Sequence, residues 1–319
     1  MRSSALLTLT LVPCAALRSG AVQMAMSARV KGMNFETATP GTLAEVASFF
    51  VDSFWLASTT FEGIQLSDTD KKQLTQKVAD DLGPRYGIAS NDKRPTMMGG
   101  RRGFPSKSLF ETRLIVAREP GGAIVGCSGI EAALYDASIG QVLRSGQADD
   151  AVRAELNAMD DEEAEAASEV YSANGIGGLA KGIIKDEFKA VLLQPYMATF
   201  VPCSLLANLA VAPEYRGEGL GRALCDKCVQ CTTDEWSIDE IALQVEESNT
   251  IAVGLYEKEG YKAVFSAESY ALRLQPSEPT KFSGLPGPFS ALAGAFAPEN
   301  EKLLKEVSSP TLTMSKMLS

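Results

Sequence analysis

The 319-residue chain contains no histidine. That absence excludes a Ser-His-Asp triad, a Cys-His pair and any His-ligated zinc or haem. Acid–base work then falls to Glu, Asp, Tyr, Lys, Cys, backbone groups or water. Positive charge is short as well: 30 Lys and Arg stand against 40 Asp and Glu, a formal net charge of −10. This balance argues against a nucleic-acid binder, whose affinity rests on a basic face that neutralises phosphates. No apolar run approaches the roughly 20 residues that a membrane-spanning helix needs. What remains is an ordinary globular composition, 45% hydrophobic, with length for one large or two small domains at roughly 100–200 residues each.

There are six cysteines, too few in a chain this long for a disulfide framework. Cys225, Cys228 and Cys231 form C-x-x-C-x-x-C, which on a helix places them near one face. The spacing fits a metal or iron–sulfur site that lacks a fourth ligand, or small residues packing a helix on a sheet. Packing is the expectation, because free Cys behaves as a small buried hydrophobe. No metal is expected.

The first residues pair a basic start with a short apolar run, Ala5–Val12, and no acid precedes Glu36. Residues 1–30 read as a targeting leader that is cleaved. A signal-like stretch followed by a basic, acid-free one resembles the two-part leader of an algal plastid protein; a secretory signal and a mitochondrial leader are the alternatives. Residues 276–319 carry Pro276, Pro279, Pro286 and Pro288 among Gly and Ser and read as a loose extension. A short helix over Glu299–Val307 is expected there, and no chemistry.

Between these ends, residues 31–275 read as one α/β domain. A short strand is expected from Met33, then a helix capped by Thr42 and running through Trp55, then a helix capped by Ser67 and stopped by Gly83-Pro84. Asn91–Lys107 is a basic loop. Leu109–Arg118 and Ala123–Leu134 form an antiparallel hairpin around Glu119-Pro-Gly-Gly. A helix-prone insertion at about 136–197 is acidic in its middle, from Asp149 to Glu169, and reads as a solvated helical face; a site for a basic polypeptide is the alternative.

The informative stretch is Ser204–Phe265. An apolar strand, Leu205–Val211, runs through Ala212-Pro-Glu-Tyr into Arg216-Gly-Glu-Gly-Leu-Gly-Arg and then a helix. Such a turn exposes consecutive N–H groups at the positive end of a helix dipole, which suits a pyrophosphate. A tight strand–helix joint is the simpler reading of the same glycines. A strand, Glu240–Val245, and a short helix, Asn249–Glu259, follow, with Gly260 as a stop. Tyr261–Ser266 and Ser269–Leu274 read as two closing strands.

Here the chain resembles the GCN5-related N-acetyltransferases. Arg216-x-x-Gly219-x-Gly221 matches their acetyl-CoA pyrophosphate signature. Asn249-x-x-Ala-x-x-Leu-Tyr256-x-Lys-x-Gly-Tyr261 follows about thirty residues on. The ribosomal-protein N-terminal alanine acetyltransferases and the plastid acetyltransferases of plants are the most similar branches. The resemblance implies a mixed, mostly antiparallel sheet flanked by helices and acetyl-CoA as cosubstrate. It implies that the backbone of Leu209, Ala210 and Val211 pairs with the pantetheine arm. Arg216, Gly217, Glu218, Gly219, Leu220, Gly221 and Arg222 form the pyrophosphate turn, with Asn249 beside the cofactor. Tyr256 matches the acid that protonates the departing thiolate, a role that suits a phenol. The N-terminal alanine branch places a catalytic Glu twelve residues before this Tyr; here that residue is Gln244, which cannot take a proton. Glu246, two residues on and on the same strand face, is the replacement base, with a water relay as the alternative. Asn208 and Gln244 are expected on the acceptor side. The acceptor implied is a protein N-terminus or Lys side chain. A small amine, or a silent acetyl-CoA-binding scaffold, remains open.

Overall fold

The computed structural model describes residues 28–57, 66–88, 108–136, 141–169, 172, 175, 200–274 and 304–318. Its strands are β1 (Asn34–Thr37), β2 (Thr112–Arg118), β3 (Ile124–Asp136), β4 (Gln141–Leu143), β5 (Phe200–Val211), β6 (Glu240–Glu246), β7 (Lys262–Leu274) and β8 (Leu304–Met317). The helices are α1 (Ala28–Lys31), α2 (Leu43–Phe50), α3 (Asp68–Arg85), α4 (Ser145–Ala158), α5 (Leu220–Gln230) and α6 (Thr250–Lys258). All eight strands form one sheet in the order β1-β2-β3-β5-β6-β8-β7, with β4 paired to the far end of β3. Every described pairing is antiparallel except β5 with β6.

Period-two alternation sends successive strand residues to opposite faces. Leu114 and Val116 of β2 pack with Val46, Phe50, Leu74, Leu82 and Tyr86, so α2 and α3 cover one face. Ile115 and Ala117 join Leu220, Leu224, Cys225, Cys228 and Tyr256, so α5 and α6 cover the other. Full burial of a side chain such as Leu220 or Leu224 contributes roughly 1.5–3 kcal/mol, and this sandwiching is the main source of the fold's stability.

Ser67 caps α3 as expected, its Oγ accepting from the Asp70 N–H at 3.1 Å. Thr42 does not cap α2; its Oγ1 accepts from the Thr39 N–H at 2.8 Å instead. The helix expected through Trp55 continues beyond Phe50 as a π turn, Val51–Leu56. Pro84 does not stop α3, because it falls in the final turn and the chain leaves the helix at Tyr86 and Gly87. The acidic insertion is not wholly solvated. Asp149 on α4 accepts from the Leu109 N–H at 2.7 Å and pairs with Arg153 at 2.9 Å, tying α4 to the segment that leads into β2. The stretch 161–169 is also helical, and most of the remaining insertion lies outside the described residues, as do the basic loop and residues 1–27.

The two ends of the domain need correction. Val30, placed in the leader, is 1% exposed and packs in the core, so the folded part includes α1. The two closing strands expected over Tyr261–Leu274 are one, β7. Its partner comes from the segment read as a loose extension: β8 lies between β6 and β7, pairing from Glu240↔Met317 to Leu274↔Leu304. The described part of the helix expected at Glu299–Val307 is the start of that strand.

Candidate active site

The site begins where β5 and β6 part. They pair in parallel only from Ser204↔Ile241 to Leu206↔Leu243. The cause lies on the other edge of β5. Its register with β3 passes from Gly129↔Ala207 to Cys127↔Ala210, so two residues, Asn208 and Leu209, oppose one. Such a bulge bends and twists its strand. Asn208 takes φ 54°, in the left-handed region where Asn is tolerated. Strand β6 instead follows β8, as far as Glu246↔Thr311. A wedge opens between Ala207–Val211 and Gln244–Glu246, and the facing backbone edges can take an extended ligand as a strand would be taken.

The wedge leads to the glycine turn. After a short 3₁₀ turn, Pro213–Tyr215, Gly217 and Gly219 adopt φ 80° and 93°, which L side chains resist. Gly219 is the N-cap of α5 and offers no side chain, so the first N–H groups of the helix are left for a ligand. The charged side chains of this turn are directed elsewhere. Arg216 donates to the carbonyls of Val211 at 3.1 Å, Ala57 at 3.1 Å and Ser53 at 2.8 Å. Glu218 pairs with Arg29 of α1 at 3.7 Å, and Arg222 with Glu259 beyond α6 at 3.5 Å. What the turn presents is backbone.

The expected chemistry divides between the two faces of the sheet. Tyr256 on α6 is buried with Leu243 and Val245 and meets Tyr261 edge-on at 5.7 Å between ring centroids. Burial above all, with the nearby Cys225 and Cys228, pushes its phenol up, so it stays protonated at neutral pH. Gln244, Glu246 and Asn208 belong to the opposite face, the α2–α3 side. Gln244 is exposed. Glu246 accepts from Ser309 Oγ of β8 at 3.1 Å. Asn208 Nδ2 donates to Tyr86 Oη at 2.8 Å. Asn249 caps α6, its Oδ1 accepting from the Ala252 N–H at 3.2 Å. Tyr256 thus shares no face with the three acceptor-side residues.

The cysteine row has a packing role. Cys225, Cys228 and Cys231 are buried free thiols between α5 and the sheet; Cys228 Sγ lies 3.4 Å from Ser128 Oγ, and burial pushes that thiol up to about 12. Among the described residues no group of three or more Cys, Asp and Glu is placed to hold a metal ion, and no helix is long and apolar enough to cross a membrane.

Two polar residues escaped the sequence reading. Tyr86 came from a region read only as a helix end. Glu131 carried a signal, a single acid inside the apolar run of β3.

Residues 176–261 match the family model described as the acetyltransferase (GNAT) family. The chain carries a GNAT-family acetyltransferase domain. The matched segment of the GNAT domain contains every site residue expected from the sequence, from Asn208 to Tyr256. An N-alpha-acetyltransferase of Sulfurisphaera tokodaii is 32% identical over 68 residues, 21% of this chain and 41% of that protein. A mycothiol acetyltransferase of Salinispora tropica is 39% identical over 64 residues, 20% of this chain and 21% of that protein. The chain therefore spans less than half the length of these curated relatives. Among solved structures, an acetyltransferase of the GNAT family from Streptococcus pneumoniae aligns over 90% of this chain and 99% of its own at 13% identity, with a TM-score of 0.37.

Proposed function

We propose that this protein transfers the acetyl group of acetyl-CoA to a primary amine, a protein N-terminus or a Lys side chain. The observation that carries this reading is the wedge between β5 and β6, ending at a turn that presents bare backbone N–H groups at the start of α5. In this reading the pantetheine arm lies along Leu209, Ala210 and Val211, and the pyrophosphate rests on the N–H groups of Gly217 to Arg222. The diphosphate is held by backbone and helix dipole, since the side chains of Arg216 and Arg222 are engaged elsewhere. The amine attacks the thioester carbonyl directly, and Tyr256 gives its proton to the departing thiolate. Attack requires a neutral amine, so the ammonium must lose a proton on the acceptor side. Glu246 supplies negative charge there to draw it in. The N-terminal segment outside the described residues is read as a plastid leader.

A small amine is the second reading, favoured by the likeness to a mycothiol acetyltransferase. One experiment separates them. The purified protein is given acetyl-CoA with peptides bearing free N-termini, peptides bearing only Lys amines, and a panel of small amines; products are identified by mass spectrometry. Acetylated peptides, with at least about 100-fold loss of turnover in Tyr256→Phe and unchanged acetyl-CoA affinity, are the expected result. Acetylation of small amines alone favours the second reading. No turnover on any amine leaves a cofactor-binding scaffold.

A further inference from the structure

Two side chains meet on the α2–α3 face of the sheet beside the wedge, Tyr86 and Asn208, and a third, Glu131, stands farther along the same face. Glu131 stands in the middle of β3, between Thr112 on β2 and Leu205 on β5. It is 1% exposed. Ser145 Oγ donates to its Oε2 at 3.2 Å. Its Oε1 is buried without a hydrogen bond and has only a loose ion pair, with Arg144 Nη1 at 3.7 Å. A buried carboxylate left half satisfied costs stability and calls for an explanation.

Tyr86 supplies the connection. Its ring lies over Gly129, two residues before Glu131 and on the same strand face. A methyl at Gly129 would overlap the Tyr86 hydroxyl, so glycine alone allows this seat. Tyr86 Oη accepts from Asn208 Nδ2 at 2.8 Å, on the bulge that opens the wedge. With that lone pair taken, its own proton is free to be donated. Burial first, then the charge of Glu131, keeps the phenol protonated.

We infer that Glu131 is the terminal proton acceptor for the acceptor amine, reached through Tyr86. This rests on the amine-acetylation reading above. The ammonium gives a proton to Tyr86 Oη while the Tyr86 hydroxyl passes its own proton to Glu131 Oε1. An N–H bond breaks and an O–H bond forms on the carboxyl. One ammonium and one carboxylate become an amine and a carboxylic acid, and the freed nitrogen lone pair attacks the acetyl carbonyl. The charged groups about this pair are Arg144 before α4, which pairs loosely with Glu131, and Arg85 at the end of α3, which acts on Tyr86. The strand neighbours of Glu131, Thr112 and Leu205, are uncharged. Cys203, farther along β5, is held as a neutral thiol by burial. Glu246 lies on β6 across the wedge, bonded to Ser309.

The test is the pH dependence of kcat/KM from pH 6 to 10 for the wild type, Glu131→Gln and Tyr86→Phe, with acetyl-CoA affinity and melting temperature for each. Glu131→Gln and Tyr86→Phe are expected to lose about 100-fold at pH 7. The deficit shrinks toward pH 10, where the amine sheds its own proton to solvent, and acetyl-CoA affinity stays unchanged. A merely structural role predicts a deficit equal at every pH; that result, or a wild-type rate at pH 7 for Glu131→Gln, overturns the inference. Should Glu131→Gln not fold, Tyr86→Phe decides by the same two criteria. A wild-type protein that acetylates no amine at any pH overturns the function itself, and the inference with it.

Discussion

The guanidinium of Arg216 spans three backbone carbonyls, one on β5, one on the π turn after α2 and one on the residue that ends that turn. It fastens the start of the glycine turn to the helical layer on the other face. Lys can place one point charge there but cannot form the planar fork. Each hydrogen bond from a charged group is worth about 1.5–3 kcal/mol net. Arg216→Lys is therefore expected to lower the unfolding free energy by about 1.5–3 kcal/mol in urea titrations; an unchanged midpoint would contradict this role. The residue was legible as part of a motif, but its partners were not, since Ser53 and Ala57 lie more than 150 residues earlier. Gly217 and Gly219 were legible because local backbone geometry demanded them. Asn208 stood out as a polar residue in an apolar strand, whereas its partner Tyr86, 122 residues away, carried no local sign.

At the scale of elements, strand, turn and helix from β5 to α6 could be read from periodicity, glycines and caps, since each depends on neighbours in sequence. Strand β8 could not. Its segment follows a Pro- and Gly-rich stretch, carries Pro310 in mid-strand, and finds its partners on β6 and β7. Pro310 still contributes, its carbonyl accepting from the Glu247 N–H at 3.0 Å. Thr313 and Met314 are buried, at 4% and 1% exposure, and Ser309 holds Glu246. A chain ending at Gln275 loses the strand that joins β6 to β7. It is expected to accumulate insoluble, or to show no cooperative thermal transition by circular dichroism; a native-like melt would mean that β8 is dispensable.

At the scale of the whole molecule, the sheet changes character once among its described pairs, at β5 and β6, and the candidate site lies where that pair gives way. In the proposed reading the wedge lets chemistry from two faces meet: Tyr256 on the side of α5 and α6, and Asn208, Gln244, Glu246, Tyr86 and Glu131 on the side of α2 and α3. The missing histidine fits the proposed division, in which a protonated phenol is the acid and a carboxylate the proton acceptor. The central claim is that the wedge and the Arg216–Arg222 turn hold acetyl-CoA. Hydrogen–deuterium exchange with and without acetyl-CoA tests it most directly. The prediction is protection concentrated on the amides of residues 209–211 and 217–222, with β1 and β2 unchanged. Protection elsewhere, or none at saturating acetyl-CoA, would contradict it.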